Sequence, residues 1–282
     1  MSDQTTISWA EATWNTVYGC TKVSPGCAHC YIERTPPYRK ASLRFERGHI
    51  PVQLMPERLD IPLHWGKPRR IFVNSLSDTF HEDVPLEFFE AIWSMTYRAP
   101  QHQYLFLTKR PERMRQMLGP HGIGFYASEA PVPCPQPNAW LGVTAENQHW
   151  ADERIPILLD TPATVRWVSV EPCLGPVDLR RFFGGPEGEP FWDGEPHPCG
   201  RCGRGWEDGH ECPGGFGPSL DWAVCGGESG KGYRPMNLDW ARSLRDQCRA
   251  AGVPFFMKQA AGLRPETPTG DPGLDLVREY PA

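Results

Sequence analysis

The sequence predicts an α/β fold, a partial (β/α) barrel built on parallel strands, and two patterns carry that prediction. Short apolar or β-branched runs recur at 70–74, 104–108, 140–144, 165–170, 222–225 and 254–257, each ending in polar or Gly-rich residues. Helical patterns lie between several of these runs, and strands that alternate with helices make a parallel sheet or barrel. Six or seven such units in one domain spanning residues 1–282 favour a barrel, incomplete on one side.

The elements follow in order. A weaker strand signal sits at 7–9. The segment 86–98 places Leu86, Phe89, Ile92 and Met95 near one face at helical spacing. The segment 238–251 follows Asn237, a good N-cap, and stops at Gly252, with Ala241, Leu244, Cys248 and Ala251 in one stripe. Two stretches break the rhythm. Residues 38–67 are irregular and carry few clear elements, while 183–218 is rich in Gly and Pro and reads as an insertion between barrel units.

Composition narrows the function classes. A chain of 282 residues with 39% hydrophobic and 22% charged residues can bury a substantial core. It contains no run near the ~18 apolar residues of a spanning helix, so no membrane partner is expected. The start, MSDQTTISWAEATW, lacks the basic and apolar regions of a signal peptide, which predicts a cytoplasmic protein. A formal charge of −5 gives no overall basic field. Pro 31 and Gly 28 predict many loops in a compact protein. Ten cysteines in a cytosolic chain argue for metal binding or catalysis more than for disulfides.

The first cysteine group is Cys20-x6-Cys27-x2-Cys30, in YGCTKVSPGCAHCYIER. Three thiolates this close suit a soft metal centre. Structural zinc takes four ligands, and no fourth cysteine or well-spaced histidine follows nearby; His29 lies between two of the cysteines. Three ligands without a fourth suit a [4Fe–4S] cluster that keeps one iron open. The alternatives are a zinc knuckle completed from afar, or buried thiols. Pro25-Gly26 provides a tight turn inside the loop. The second group, Cys199-x2-Cys202 followed by His210-x1-Cys212, offers four soft ligands within the 183–218 insertion. That insertion has too few apolar residues to fold alone, and a structural Zn2+ would supply the missing stability. His197 could substitute for His210, and an auxiliary iron–sulfur cluster is the other option. Cys134, Cys173, Cys225 and Cys248 lack partners at metal spacing, and the last two fit the core.

The run ISWAEATWNTVYGCTKVSPGCAHCYIER resembles the opening of the phage Gp37/Gp68-like proteins, a three-Cys-motif family of unknown function. The likeness extends over most of the chain, through FVNSLSDTFHEDVP, FLTKRPERM, WLGVTAENQ, VSVEPCLGPVDL, WAVCGGESGKGYRPM and RSLRDQCRAAGVPFFMKQ. That family is similar to radical S-adenosylmethionine (SAM) enzymes. The resemblance implies a radical-SAM-type partial barrel in which Cys20, Cys27 and Cys30 hold three irons of a [4Fe–4S] cluster and SAM chelates the fourth. It further implies reductive cleavage of SAM, hydrogen abstraction by a 5′-deoxyadenosyl radical, and a reductant protein such as flavodoxin or ferredoxin. The sequence departs from the usual C-x3-C-x2-C pattern: its first gap is six residues, and His29 stands where an aromatic precedes the last cysteine. His29 would either stack near the adenine or stand as a solvated loop residue.

Active sites of parallel barrels lie at the C-terminal ends of the strands. Those ends here read Asn74-Ser75-Leu76-Ser77-Asp78, Thr108-Lys109-Arg110, Thr144-Ala145-Glu146-Asn147, Glu171-Pro172 and Gly226-Gly227-Glu228-Ser229. For SAM, this assigns Ser75, Ser77 and Asp78 to the amino or ribose groups. Glu146 or Glu171 would take a ribose hydroxyl and Lys109 a carboxylate or a substrate phosphate. Gly226 and Gly227 would allow a close backbone approach.

A hydrolase or P-loop protein is poorly supported. In CGGESGKGY, Cys225 and Gly232 replace the first Gly and the Ser/Thr of a P-loop, and Lys231 breaks G-x-S-x-G at its last place. The main alternative is a non-enzymatic, metal-containing nucleic-acid-binding protein. Between Tyr31 and Arg70 nine Lys/Arg stand against four acids, interleaved with Tyr31, Tyr38, Phe45 and Trp65, and Lys109, Arg110, Arg113 and Arg115 add a second basic run. The two readings combine in a radical enzyme that modifies or repairs nucleic acid. A barrel that keeps its cluster for structure alone is a third.

Overall fold

The computed structural model describes residues 5–119, 134–184 and 218–281. The strands and helices run β1 (Ala12–Trp14), β2 (Val17–Thr21), α1 (Pro36–Lys40), β3 (His49–Leu54), β4 (Arg70–Val73), α2 (Leu86–Arg98), β5 (Gln103–Thr108) and α3 (Pro111–Leu118). Then come β6 (Ala139–Thr144), α4 (Gln148–Leu159), β7 (Val165–Val170), β8 (Trp222–Gly226), α5 (Leu238–Ala251), β9 (Phe255–Gln259) and α6 (Pro272–Asp275). Seven strands form one parallel sheet in the order β1-β4-β5-β6-β7-β8-β9. The order never reverses, so every crossover steps the same way and the sheet curls into a half-barrel. The predicted partial barrel is the fold observed.

Alternation along these strands sorts side chains into two layers. Outward residues such as Ile71, Phe106, Val143, Val168 and Met257 pack with Phe89 and Ile92 of α2, Met114 of α3, Ile155 of α4 and Leu244 of α5. Inward residues Phe72, Leu105, Trp140, Trp167, Trp222 and Phe256 form a separate cluster with Trp9. Its rings touch edge-on or tilted, Trp9 lying 5.2 Å from Trp167 and Trp167 lying 5.3 Å from Trp222. The indoles thus fill the inside of the half-barrel toward the strands' N-terminal ends. The next inward positions are small or polar, Gly142, Ser169 and Gly226, and beyond them stand Lys109, Glu146, Glu171, Glu228 and Lys258. One end of the barrel is plugged and the other is charged.

The sequence places 165–170, 86–98 and 238–251 where the structure has them. For the last, the Asn237 side chain accepts from the Asp239 amide at 2.9 Å, and Gly252 ends the helix with φ 67°. Two expectations are corrected. The edge strand is not 7–9 but β1, five residues on, because Trp9 is drawn into the indole plug. The stretch 38–67 is not merely irregular, since β3 pairs antiparallel with β2 inside it. Only Ile50 of β3 is buried, so the strand carries no strong apolar alternation to read.

The plug generates a test. A Cβ at Gly142 would stand 2.4 Å from the Trp167 indole, which is packed on all sides. Gly142→Ala should therefore lower stability by about 1–3 kcal/mol, read as a lower midpoint in thermal or urea unfolding.

Candidate metal centre

Cys20 lies on β2, opposite Ile50 of β3. The ribbon's position is fixed by Asn74, just past β4, whose Oδ1 accepts from the amides of Thr16 at 2.8 Å and Val17 at 3.1 Å. Asn74 has φ 54°, a left-handed conformation that asparagine tolerates better than most residues. Gly19 has φ 87°, and a Cβ there would stand 2.1 Å from the Pro51 carbonyl, so the bulge beside Cys20 requires glycine. After β2 the chain makes a 3-10 turn over Pro25–Cys27, as Pro25-Gly26 predicts, and a second over Tyr31–Arg34. Lys22 ties the loop internally by donating from Nζ to the Ala28 carbonyl at 3.1 Å.

Three strand ends hold this loop over the charged mouth. From the β6 end, Glu146 is fully buried; its Oε1 accepts from Ser24 Oγ and its Oε2 from Arg154 Nη1 at 2.9 Å. A Cβ at Gly26 would stand 2.2 Å from Glu146 Oε1, so the turn packs directly on the carboxylate. From the β8 end, Glu228 pairs with His29 Nδ1 at 2.9 Å and accepts from the Arg234 amide at 2.8 Å. Arg234 then donates to the Pro25 carbonyl at 3.0 Å. From the β4 end, the Ser75 carbonyl accepts from the Tyr31 hydroxyl.

The three sulfurs are half-buried and sit in different fields. Burial pushes the Cys20 thiol up to about 12, with the Asp78 carboxylate adding to it and Arg110 opposing. Burial likewise raises the Cys30 thiol. At Cys27 burial also works against ionisation, but Lys109, the backbone amides of Val23 and Ser24 and the Ser24 hydroxyl outweigh it, and the pKa falls. Arg110 Nη1 stands 3.9 Å from Cys20 Sγ and 3.1 Å from Asp78 Oδ2. Desolvation would lower the Lys109 pKa, yet Cys27 and Glu146 raise it, so the ammonium stays charged beside the loop. Among the described residues, no three His, Cys, Asp or Glu side chains converge closely enough to hold one metal ion.

The other expected site residues divide by whether their polar atoms are already used. Asp78 is occupied by Thr108, Arg110 and the Phe80 amide, which makes it a support for Arg110. Ser77 Oγ donates to the Val17 carbonyl at 2.7 Å and Ser75 Oγ to Asn15 Oδ1 at 3.2 Å. The close approach that Gly227 permits is to the chain itself, since a Cβ there would meet the Ala261 amide at 2.1 Å. Gly226 similarly leaves room for Glu171, 3.1 Å from where its Cβ would be. Lys109 and Glu171 remain partly accessible in the mouth, with Glu171 paired to Lys258 at 2.5 Å. His29 neither stacks nor stands free: it is the latch to Glu228. Cys225 and Cys248 are core residues, as expected, and Cys173 is buried with them. Cys199, Cys202, His210 and Cys212, with His197, lie outside the described residues.

Two basic features read differently in three dimensions. Tyr38 and Trp65 are buried and Phe45 is half-buried beneath Lys22, so these three aromatics are not available for bases. The second basic run is divided: Arg110 is buried against Asp78, while Arg115 is exposed and pairs with Asp160 at 2.8 Å. Sequence reasoning missed Lys258, Arg154 and the Arg110–Cys20 contact. Lys258 was within reach, as it continues the inward alternation of β9 past Phe256.

A family model described as a protein of unknown function, DUF5131, matches residues 4–271, which include the cysteine loop and all seven barrel strands. The chain belongs to the DUF5131 family. This is the phage Gp37/Gp68 family that the sequence resembles. No curated protein and no solved structure matches the chain. Among the described residues of this DUF5131 protein, no helix is long and apolar enough to cross a membrane.

The Glu228 latch carries a pH signature. Burial alone would raise its pKa, but hydrogen bonds from Arg234 and His29 outweigh burial and hold the carboxyl at about 2, below its ordinary 4.5. A depressed carboxyl stabilises the fold above its unfolded value and loses that contribution as pH falls through the folded one. The DUF5131 protein should therefore lose stability between pH 4.5 and about 2 through this group. Glu228→Gln should cost about 1–3 kcal/mol at neutral pH and flatten that part of the profile. Urea midpoints across the acid range check both.

Proposed function

We propose that this protein is a radical-SAM-like iron–sulfur enzyme whose reaction centre is the cysteine loop over the half-barrel mouth. The observation that carries the reading is the placement of Cys20, Cys27 and Cys30 on one loop at the C-terminal ends of parallel strands, with Lys109 and Arg110 beside the sulfurs. When bound, a [4Fe–4S] cluster with SAM on its open iron would supply one electron to cleave the sulfonium, and the 5′-deoxyadenosyl radical would take a hydrogen from the substrate.

The donor set fits such a group. Thiolates on one tetrahedral zinc, each about 2.3 Å from it, would nearly touch, whereas these three do not converge on one ion. They are nonetheless close enough that Cys27 and Cys30 help to raise the Cys20 pKa, and Cys27 that of Cys30. Arg110 at Cys20, and Lys109 at Cys27 and Cys30, work against the burial that disfavours thiolates, although burial prevails at Cys20 and Cys30. Ser24, His29 and Tyr31 fix the loop to three strand ends, so the sulfurs hold their spacing without the metal. Glu171 and Lys258, both partly accessible, present one carboxylate and one ammonium for the polar groups of SAM. Ser75 and Asp78 act one step back, through Tyr31 and Arg110. The indole plug closes the opposite end of the barrel, so a radical formed in the mouth is shielded from that side.

Anaerobic reconstitution with iron and sulfide, reduction with dithionite and addition of SAM test the reading. Wild type should bind iron and sulfide in equal amounts and release 5′-deoxyadenosine, followed by chromatography, and Cys27→Ala should do neither. Zinc at the cysteine loop, with no cluster and no product, would overturn it.

A further inference from the structure

Among the described residues only six large hydrophobic side chains are exposed, and two of them, Tyr31 at 44% and Tyr233 at 37%, lie on segments that meet at the rim of the mouth. Arg34 joins those segments. Its Nη2 donates to the Lys231 carbonyl at 3.2 Å, and its guanidinium lies so close over Gly230 that a Cβ there would be 1.7 Å from Nη1. Farther along the segment that carries Tyr31, Arg39 and Lys40 of α1 and Arg44 and Arg47 just after it are exposed and enter no ion pair among the described residues. Their base is rigid: the Tyr38 hydroxyl accepts from the Gly19 amide at 2.7 Å and donates to the Leu76 carbonyl, pinning α1 beside the cysteine loop. In a chain of net charge −5, five cations against one acid between Arg34 and Arg47, on the segment that follows the exposed Tyr31, are a local exception.

We propose that this rim binds single-stranded nucleic acid, and that such a strand is the substrate presented to the mouth. Phosphates would meet Arg39, Lys40 and the neighbouring cations, and bases would stack on Tyr31 and Tyr233. Every base has a π face, so this chemistry grips a strand with little regard to sequence. Stacking on a protein ring needs bases free of their own partners, which sets a single strand above a duplex. The substrate class rests on the enzyme reading above, but the binding itself needs neither cluster nor SAM. Failure of the radical assay would leave this surface untouched, and the reverse also holds.

The test is fluorescence anisotropy of the full chain with a labelled oligo(dT), a blunt duplex of the same length, and vesicles containing phosphatidylserine. Wild type should bind the single strand more tightly than the duplex, with affinity falling as salt rises. Arg39→Glu with Lys40→Glu should weaken binding at least about tenfold and reduce the salt slope by about 1.4, the share of two phosphate contacts. Tyr233→Ala should weaken it by about tenfold with the slope unchanged. Circular dichroism would confirm that these surface variants fold. No binding of the oligonucleotide, equal binding of duplex, indifference to both substitutions, or capture by vesicles alone would each overturn the proposal.

Discussion

Glu146 has no accessible surface, so whatever its carboxylate needs must come from the protein. Arg154 meets one oxygen from α4 and Ser24 meets the other from the cysteine loop. A buried ion pair of this kind is a poor source of net stability, because desolvation consumes most of the attraction. Its consequence is geometric. A carboxylate with both oxygens committed allows one arrangement of helix, strand end and loop, and Gly26 is pressed against it with no room for a side chain. The position of Cys27 follows from that contact, and Glu228 repeats the device on the other side through His29 and Arg234.

The same alternation that buries the indoles produces the mouth. Along β6, Trp140 and Gly142 point inward before Glu146; along β7, Trp167 and Ser169 precede Glu171; along β9, Phe256 precedes Lys258. Large rings fill the interior at one end because an unfilled barrel would leave voids. Small residues follow, and charged groups can stand beyond them because that end reaches solvent. The gradient from indole to carboxylate runs along the inside of adjacent strands, which makes one end an apolar foundation and the other a charged mouth.

Charge is distributed with the same economy. Of the cations close to the sulfurs, Arg110 is buried and fixed by Asp78, while Lys109 is half-buried and kept charged by the fields of Cys27 and Glu146. Arg39, Lys40, Arg44 and Arg47, by contrast, are exposed and enter no ion pair among the described residues. Both sets come from segments that look alike as strings of Lys and Arg. Burial separates those held beside the sulfurs from those that face solvent.

Much of the fold was legible because its signals are local. Apolar runs of strand length, the stripe of α2, and the Asn237 and Gly252 caps of α5 each depend on neighbours within a few residues, so the sequence alone determined six of the parallel strands, the helices α2 and α5, and the partial barrel. The Cys20, Cys27 and Cys30 loop was legible for the same reason, as its spacing is a short-range property. β3 was not, since its pairing with β2 depends on residues far apart in the chain and only Ile50 is buried. The roles of Asp78, Ser77 and Gly227 were also out of reach: polar residues after a strand look the same whether they face a ligand or their own chain. Only the tertiary structure decided that Tyr38 and Trp65 are core while Tyr31 and Tyr233 are surface, and that Glu146 and Glu228 are latches. A side chain's partner across tens or hundreds of residues is set by packing, and packing is not written in local spacing.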